Sequence, residues 1–255
     1  MKKILLSAAR PSDPAVSLVC FPHAGGNAST FLAWSRHLPT DVEVSSYQAA
    51  GRGARAGESP ALSLPDMVEE AVAELEPLLA RRPVVLFGHS FGGLMAYEVV
   101  RALHARRWTL PQRVIVSGCF PPSQLSLHRG RWEIGSSDAE LFDALAAQGG
   151  VPRELLPYRE VFLPMMGSVR AEFRMLHDYV FQAGAPLPVP LSLFWSQEDA
   201  LVARADMAPW RALFAGDCDE VVLPGNHYYV DQEVVANTQA VVERLRATAL
   251  EQMAF

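Results

Sequence analysis

The sequence predicts an α/β fold in which helices cover both faces of a mostly parallel β-sheet. Short apolar runs of strand length alternate along the chain with segments of helical periodicity, as in sheets whose strands are joined by helical crossovers. Half of the 255 residues are hydrophobic and a fifth are charged, so the chain can bury a sizeable core. The expected strands are residues 17–21, 42–47, 84–87, 113–117, 191–195 and 220–223.

Residues 1–9 have only a faint similarity to a secretion signal. Their apolar run is short and ends before Arg10-Pro11, and no apolar stretch reaches the roughly 20 residues that span a bilayer. Three cysteines without regular spacing are typical of reduced thiols. We therefore expect a cytoplasmic protein that does not bind membranes. The net charge of −6 argues against nucleic acid as a partner, and no cluster has the spacing of metal ligands.

The strand at 84–87 leads into Gly88-His89-Ser90-Phe91-Gly92, which is followed by a helical pattern. In this context G-x-S-x-G is the turn that presents a nucleophilic serine at a helix N-terminus in α/β-hydrolases. The sequence therefore predicts Ser90 as the nucleophile of an α/β-hydrolase fold. One oxyanion-hole donor is then the backbone N–H of Phe91, the residue after the nucleophile.

The strand at 17–21 runs into Pro22-His23-Ala24-Gly25-Gly26. Glycines let such a backbone approach a substrate oxygen, so the N–H of Ala24 is expected to be the second oxyanion-hole donor. Preorganised donors of this kind contribute roughly 3 to 4 kcal/mol each to transition-state binding. His23 could act as a second base, but we expect it to brace this loop through side-chain hydrogen bonds.

A serine nucleophile needs a base, and in this fold the chain order is serine, acid, histidine. The histidines downstream of Ser90 are His104, His128, His177 and His227. The first lies among arginines, the second in an arginine-rich loop and the third inside a helical pattern. Only His227 follows a strand through a short turn, which places it at the carboxyl edge of the sheet. The sequence therefore predicts His227 as the base.

The acid is expected on the loop after the strand at 191–195, where Glu198 and Asp199 compete. Asp199 is preferred because its shorter side chain holds an imidazole more rigidly, and Glu198 remains the alternative. Some hydrolases place the acid one strand earlier. Here that placement is disfavoured, because no carboxylate occurs between Gly118 and Trp132.

Residues 121–190 interrupt the alternation and contain no convincing strand. Three helical patterns occur there: one starts at Ser137, where Glu140 completes a capping box, and the others span 158–165 and 167–180. We expect a helical lid at 121–190, inserted into a core formed by 1–120 and 191–255. Most of its apolar residues are expected to pack the lid onto the core. Some should line an acyl chamber, and the candidates for substrate contact, with the loop histidine, are His23, Phe142, Met165, Met166 and Phe173.

Four motifs occur in a fixed order along the chain: Phe-Pro-His-Ala-Gly-Gly at 21–26, Gly-Arg-Gly-Ala-Arg at 51–55, Phe-Gly-His-Ser-Phe-Gly-Gly at 87–93 and Gly-Asn-His-Tyr-Tyr at 225–229. Together they resemble the stand-alone type II thioesterases of polyketide synthases and non-ribosomal peptide synthetases, over residues 17–245. The resemblance implies a triad of Ser90, Asp199 and His227, with Ala24 and Phe91 as oxyanion donors. It also implies that stalled or aberrant acyl groups are removed from the phosphopantetheine arm of acyl or peptidyl carrier domains, without a cofactor of the enzyme's own.

Three positions depart from the pattern of that family. Ala50 stands where proline is usual, and Phe91 where methionine is more common. The acid loop reads Ser-Gln-Glu-Asp rather than the frequent Gly-x-x-Asp. Only this last departure bears on the chemistry, because the loop contains both candidate acids.

Two other functions use the same sequence features. A general esterase or lipase, or an acyl-coenzyme A thioesterase, would use the same triad, and the fold alone does not separate them. A non-catalytic binding protein is disfavoured, because it would have no reason to keep serine, acid and histidine together.

We expect a monomer that docks its carrier partner through Arg129 and Arg131, with Arg52 and Arg55 behind them.

Overall fold

The computed structural model describes residues 3–8, 13–132, 137–151 and 153–253. Within these residues a single sheet contains β1 (Leu5–Ser7), β2 (Val16–Phe21), β3 (Val42–Tyr47), β4 (Val84–His89), β5 (Arg113–Ser117), β6 (Leu191–Ser196) and β7 (Cys218–Leu223). The strand order is β1-β3-β2-β4-β5-β6-β7. Of these described strands only β1 runs antiparallel to its neighbour, so the sheet is mostly parallel, as predicted.

The helices of the described residues are α1 (Ser29–Leu32), α2 (Leu64–Leu79), α3 (Phe91–Ala105), α4 (Asp138–Ala147), α5 (Arg159–Phe162), α6 (Met166–Asp178), α7 (Arg204–Met207), α8 (Tyr229–Gln232) and α9 (Val234–Met253). Short 3-10 segments occur at Ala33–Arg36, Gly53–Arg55, Pro122–Trp132, Arg153–Tyr158, Leu163–Met165 and Ala208–Leu213. None of the helices in this described part of the chain is both long and apolar enough to cross a membrane.

The central strand β4 shows why both faces of the sheet carry helices. Successive strand side chains point to opposite faces. Val84 and Leu86 join the hydrophobic cluster that includes α2 and α3, whereas Val85 and Phe87 join the cluster that includes α1 and α9. All four side chains are buried. The continuous apolar run of this strand is therefore the signature of a parallel strand covered on both sides.

The loops that follow β2, β4, β5, β6 and β7 all meet at one edge of the sheet. The pairing is parallel from β3 through β7, so these strands end on the same side. Ligands of open α/β sheets bind at this carboxyl edge. Every loop that the sequence analysis connects with catalysis therefore reaches the same place.

The first strand, β1, was not predicted. It has only three residues and no apolar alternation, and it is recognisable only through its antiparallel pairing with β3. The last strand begins earlier than the expected 220–223, because β7 starts at Cys218. The helical segment that follows β7 is divided at Glu233 into α8 and α9.

The insert, residues 121–190, is helical and contains no named strand among its described residues, although Leu187 forms an isolated bridge with Phe214. The capping box at α4 is present: Ser137 Oγ accepts the N–H of Glu140 at 3.2 Å, and the Glu140 carboxylate accepts the N–H of Ser137 at 2.9 Å. The second predicted helix, 158–165, is instead a short α5 between two 3-10 segments, each of which contains a proline. The third corresponds to α6.

Candidate active site

Ser90 lies on a sharp turn between β4 and α3. Its backbone has φ 54° and ψ −120°, a conformation that is unusual for a residue with a side chain. A Cβ atom at Gly88 would lie 2.2 Å from the carbonyl oxygen of Gly92, and one at Gly92 would lie 1.9 Å from that of Phe21. Both glycines of G-x-S-x-G are therefore required by the close packing of this turn. The half-buried Ser90 is anchored by its N–H, which donates to the carbonyl of Ser117 at 2.8 Å.

His227 and Asp199 form a direct pair at the same edge of the sheet. The distance from His227 Nδ1 to Asp199 Oδ2 is 2.7 Å, and the Asp199 side chain is fully buried. The other carboxylate oxygen, Oδ1, accepts the N–H groups of Leu201 at 2.8 Å and Val202 at 3.0 Å. These contacts fix the carboxylate, and the carboxylate in turn fixes the plane of the imidazole.

Glu198, the alternative acid, lies elsewhere. It is exposed, and its Oε1 accepts the N–H of Gly225 at 3.4 Å, so it contacts the backbone of the histidine loop rather than the ring. Ser196 ties the same two loops together: its Oγ donates to the carbonyl of Gly225 and accepts the N–H of Glu198. The structure therefore brings Asp199, and not Glu198, into contact with His227.

Gly118 connects the histidine–aspartate pair with the serine turn. It directly follows Ser117, the residue that anchors Ser90, and has φ +49°. A Cβ atom there would lie 3.3 Å from Asp199 Oδ2 and 3.4 Å from His227 Cε1. The loop after β5 thus supplies no acid, as predicted from its lack of carboxylates, and it leaves the space that the acid and base occupy. Gly118 was not among the predicted site residues, although its position directly after β5 could have pointed to the site.

His89 packs beside the base and was also missed. Its ring lies 5.0 Å from that of His227, and its Nδ1 lies 2.9 Å from Ser117 Oγ. Ser117 Oγ in turn contacts the hydroxyl of Tyr229, which donates to the carbonyl of Phe194 at 3.1 Å. Burial holds the pKa of His89 well below its ordinary value, so the ring is neutral. This buried chain of hydrogen bonds holds a rigid neutral ring against the base.

His23 does not brace its loop through side-chain hydrogen bonds, so that prediction was wrong. Within the described residues its Nδ1 is buried without a hydrogen-bond partner. The ring instead packs edge-on against Tyr228 at 5.2 Å and against His89 at 5.9 Å. Burial is the main cause that lowers the pKa of His23 to about 4, which keeps the ring neutral near pH 7. Aromatic packing, which sequence spacing does not reveal, replaces the expected hydrogen bonds.

The two predicted oxyanion donors come from different segments. Ala24 lies in the loop at residues 22–26, the oxyanion loop, and Phe91 is the first residue of α3. Among the described residues, neither the N–H of Ala24 nor that of Phe91 donates to a protein acceptor. The next N–H along the loop, that of Gly25, donates to Glu172 Oε2 at 2.7 Å. That of Gly26 donates to the carbonyl of His23 at 2.9 Å. The loop is therefore held by hydrogen bonds at Gly25 and Gly26, while the two predicted donors have no acceptor in the described part of the chain.

The apolar residues proposed for substrate contact form a small core within the insert. Phe142 and Met166 are buried in a cluster formed by α4 and α6, and Met165 and Phe173 pack against it. These side chains therefore pack mainly within the insert, and of the four only Phe173 also packs against the main core, as expected for a residue that seats the insert on it. Their contact with an acyl group stays a prediction.

A groove of about 960 Å³ lies between the segment 59–65 and helices α2, α3 and α6. Its walls combine apolar residues such as Val68 and Met175 with the charged side chains of Glu98, Arg101 and Arg174. None of the five residues proposed for substrate contact lines this groove. Sequence reasoning did not anticipate it, because its walls come from segments more than 100 residues apart.

Two of the arginines proposed for partner docking are buried, so that part of the prediction was wrong. Arg52 is 2% exposed and pairs with Glu172, with Nη2 and Oε1 2.7 Å apart. Arg55 is 5% exposed and pairs with two carboxylates, those of Glu58 at 2.7 Å and Glu70 at 3.0 Å. Of these three acids, Glu70 lies on α2, Glu172 lies on α6, and Glu58 follows the segment Gly53–Arg55. A linear motif does not show such contacts.

Arg129 is exposed in the 3-10 segment Pro122–Trp132, as expected of a docking residue. The side chain of Arg131 lies outside the described residues. Cys20 and Cys119 are free cysteines buried in the core. Within the described part of the chain, no group of three or more His, Cys, Asp and Glu side chains is arranged to hold a metal ion.

Comparison with known proteins decides the family. The family model for the thioesterase domain matches residues 16–248, which include all five predicted catalytic and oxyanion residues. The chain belongs to the thioesterase family. It is therefore an enzyme of the thioesterase class, as the sequence predicted.

Individual thioesterases match over almost the whole chain. Thioesterase TesA of Mycobacterium marinum is 30% identical over 222 residues, which are 86% of this chain and 87% of TesA. The structure of RedJ, a thioesterase from the prodiginine biosynthetic pathway in Streptomyces coelicolor, superposes with a TM-score of 0.80 at 30% identity, covering 90% of this chain and 88% of RedJ. YbtT, a type II thioesterase from the yersiniabactin NRPS/PKS biosynthetic pathway, gives a TM-score of 0.79 at 26% identity, covering 96% of this chain and 99% of YbtT. These matches confirm the α/β-hydrolase fold and the resemblance to type II thioesterases.

Proposed function

We propose that this thioesterase hydrolyses acyl thioesters on the phosphopantetheine arm of acyl or peptidyl carrier domains, and so removes stalled or aberrant acyl groups from a polyketide or non-ribosomal peptide synthase. The observation that carries the proposal is the His227–Asp199 pair at the sheet edge that also holds Ser90, in a chain of the thioesterase family. RedJ and YbtT, both from biosynthetic pathways, support this assignment.

In the first half of the reaction, Ser90 Oγ attacks the thioester carbonyl while His227 Nε2 takes the hydroxyl proton. The tetrahedral intermediate then breaks its C–S bond. The pantetheine thiolate leaves and takes the proton back from His227, and the acyl group remains as an ester on Ser90. Asp199 keeps Nδ1 of His227 protonated, so that Nε2 is free to act as the base.

The second half uses the same groups with water as the nucleophile. His227 takes a proton from water, whose oxygen attacks the ester carbonyl of the acyl-enzyme. When the second intermediate collapses, the C–O bond to Ser90 breaks, Ser90 recovers the proton from His227, and the free acid departs. The N–H groups of Ala24 and Phe91 stabilise the oxyanion in both halves. Donors at this position lower the barrier because they point at the negative charge that develops in the transition state.

The partner supplies the only prosthetic group in this scheme, because the phosphopantetheine belongs to the carrier domain. The enzyme works as a cytoplasmic monomer in which the insert serves as the lid of the active site, beside a core formed by 1–120 and 191–255. Phe142, Met165, Met166 and Phe173 then form the wall facing the acyl chain, with His23 near the reacting carbonyl. Unbranched methionine side chains suit acyl groups of variable shape.

The substrate class is tested by comparing an acyl-carrier protein, an acyl-coenzyme A and a p-nitrophenyl ester of the same chain length. We expect kcat/KM to be at least about tenfold higher for the acyl-carrier, since about 1.4 kcal/mol of interface binding gives that factor. Steady-state kinetics with Ser90→Ala as the blank would measure it. The highest kcat/KM on the oxygen ester would indicate a general esterase, and the highest on the coenzyme A ester an acyl-coenzyme A thioesterase.

Carrier docking is tested at Arg129, reversed together with its neighbour (Arg129→Glu with Arg131→Glu). Carrier domains are commonly acidic, so this change should raise KM for the acyl-carrier about 3- to 10-fold through lost electrostatic complementarity. An N-acetylcysteamine thioester, which lacks the carrier, should be unaffected. Arg81→Glu is the matched control, because Arg81 is exposed in the turn that leads into β4 and is therefore near the opposite edge of the sheet.

Equal loss on both substrates would indicate a damaged insert rather than a lost docking contact. An unchanged KM on both substrates would remove Arg129 and Arg131 from the docking surface.

A further inference from the structure

We propose that Glu172, on α6 of the insert, is a positioning residue that acts with Arg52 to hold the oxyanion loop in its catalytic shape. The inference rests on the proposed function, because it assumes that the N–H of Ala24 binds the oxyanion. It adds a role for the insert in the chemical step itself.

Two charged side chains hold the backbone that directly follows Ala24. Glu172 Oε2 accepts the N–H of Gly25 at 2.7 Å. Arg52 Nε donates to the carbonyl of Gly26, also at 2.7 Å. The two side chains are joined to each other by the 2.7 Å contact between Arg52 Nη2 and Glu172 Oε1. Consecutive residues of the loop are therefore held by one ion pair.

This ion pair is almost completely removed from water. The side chains of Arg52 and Glu172 are 3% and 4% exposed. Burying two charges costs free energy that their mutual attraction offsets only when their other polar atoms are also bonded. Here those bonds go to the backbone of the oxyanion loop, and Arg52 Nη1 additionally lies 3.5 Å from Ser168 Oγ. The ion pair therefore adds little to the stability of the fold, but its hydrogen bonds hold the backbone of the oxyanion loop in one conformation.

The loop needs such fixing because its own sequence does not supply it. Gly25 has φ +82° and Gly26 has no side chain, so the backbone after Ala24 has unusual freedom. An oxyanion donor acts only when its N–H points at the developing charge, and a displacement of about 1 Å can cost about 100-fold in rate. The bonds to Gly25 and Gly26 restrict this freedom on the carboxyl side of the donor.

Glu172 also links this loop to the insert. It lies on α6 between Val169 and Leu176, on the buried face of the helix. Val169 contacts the loop as well, because a Cβ atom at Gly25 would lie 3.3 Å from its side chain. Since the carboxylate reaches Gly25 from α6, the oxyanion hole takes its full shape only when α6 is seated on the core.

The first test is Glu172→Gln, assayed with an acyl-N-acetylcysteamine thioester. An amide has a single acceptor oxygen, so it cannot accept from both Arg52 and Gly25 through separate oxygens as the carboxylate does. We expect kcat to fall about 10- to 100-fold while KM changes less than about threefold. Glu43→Gln is the matched control: Glu43 is also a buried carboxylate paired with an arginine, Arg82 at 3.0 Å, and its loss should leave kcat unchanged.

A transition-state analogue separates positioning from a general loss of structure. An acyl trifluoromethyl ketone forms an oxyanion on the enzyme, so its Ki should rise by the same factor by which kcat/KM falls in Glu172→Gln. A non-hydrolysable thioether analogue has no oxyanion, and its Kd should not change. A purely structural role would move both constants together or neither of them, and either result would overturn the proposal.

The double variant Arg52→Met with Glu172→Met covers the case in which Glu172→Gln fails to fold. It leaves no unpaired buried charge, and such replacements often preserve stability. We expect a melting temperature near that of the wild type with the same loss in kcat. Turnover of the small thioester within about twofold of the wild type would overturn the proposal. Because this assay contains no carrier, a wild type that cleaves the small thioester but not the acyl-carrier would refute the carrier assignment alone.

Discussion

Replacing the nucleophile, Ser90→Ala, should leave the fold intact and lower kcat by up to about a millionfold. Among the described residues no other serine, threonine or tyrosine has a positive φ, so we expect none of their hydroxyls to replace Ser90 Oγ. The fold should survive because the anchoring bond, from the Ser90 N–H to the carbonyl of Ser117 at 2.8 Å, belongs to the backbone. Alanine at φ 54° is no more strained there than serine.

The measurement is kcat on an acyl-carrier substrate, with the melting temperature of the same preparation as the control for folding. Residual activity within about 100-fold of the wild type, in a protein that still melts normally, would show that Ser90 is not the nucleophile.

The change of the acid, Asp199→Asn, should lower kcat by about 10⁴-fold. The structure explains why the loss should be so large. Oδ1 of Asp199 is held by the N–H groups of Leu201 and Val202, so an asparagine would keep its oxygen there and turn its NH₂ toward His227. That NH₂ donates to Nδ1, which forces the proton onto Nε2 and removes the base.

Glu198→Gln is the matched control on the neighbouring residue. Glu198 is exposed and accepts only the N–H of Gly225 among the described residues, a contact that an amide oxygen can also make. Its kcat should stay within about threefold of the wild type, as expected for an exposed polar contact. If the two variants exchanged their effects, the acid would be Glu198 and the observed pairing would not be the catalytic one.

The catalytic residues could be predicted because local sequence and chain order constrain them strongly. A strand, two obligatory glycines and a helix define the turn at Ser90, and the order of the triad leaves His227 as the histidine on a suitable loop. The choice between Glu198 and Asp199 needed the structure. The side chains of adjacent residues point in different directions, so the backbone conformation of the loop determines which carboxylate reaches the imidazole.

The predictions for Arg52, Arg55 and His23 were wrong for a common physical reason. Each lies in a polar-looking loop whose surroundings come from distant segments. Glu172, which buries Arg52, follows it by 120 positions in the sequence, and Tyr228, which packs on His23, follows it by about 200. One feature of the sequence could have indicated that an arginine is buried nearby. Glu172 falls at helical spacing from Val169 and Leu176, so its carboxylate lies on the apolar face of α6 and needs a partner there.

β1 was missed for a different reason. An edge strand of three residues has no room for the alternation that identifies longer strands. It is held by its pairing with β3, and the hydrogen bond between Ser7 Oγ and Ser45 Oγ at 2.8 Å joins the two strands. Such pairing is a property of the assembled sheet rather than of the segment.

The central claim, that carrier-bound thioesters are cleaved through a covalent intermediate on Ser90, is tested most directly by mass spectrometry of the enzyme treated with phenylmethylsulfonyl fluoride. We expect a single adduct, mapped to Ser90 in the peptide digest, whose formation is slowed by an excess of acyl-carrier and prevented in Ser90→Ala. An adduct on another residue, or an enzyme fully labelled at Ser90 that still hydrolyses the acyl-carrier at the wild-type rate, would contradict it.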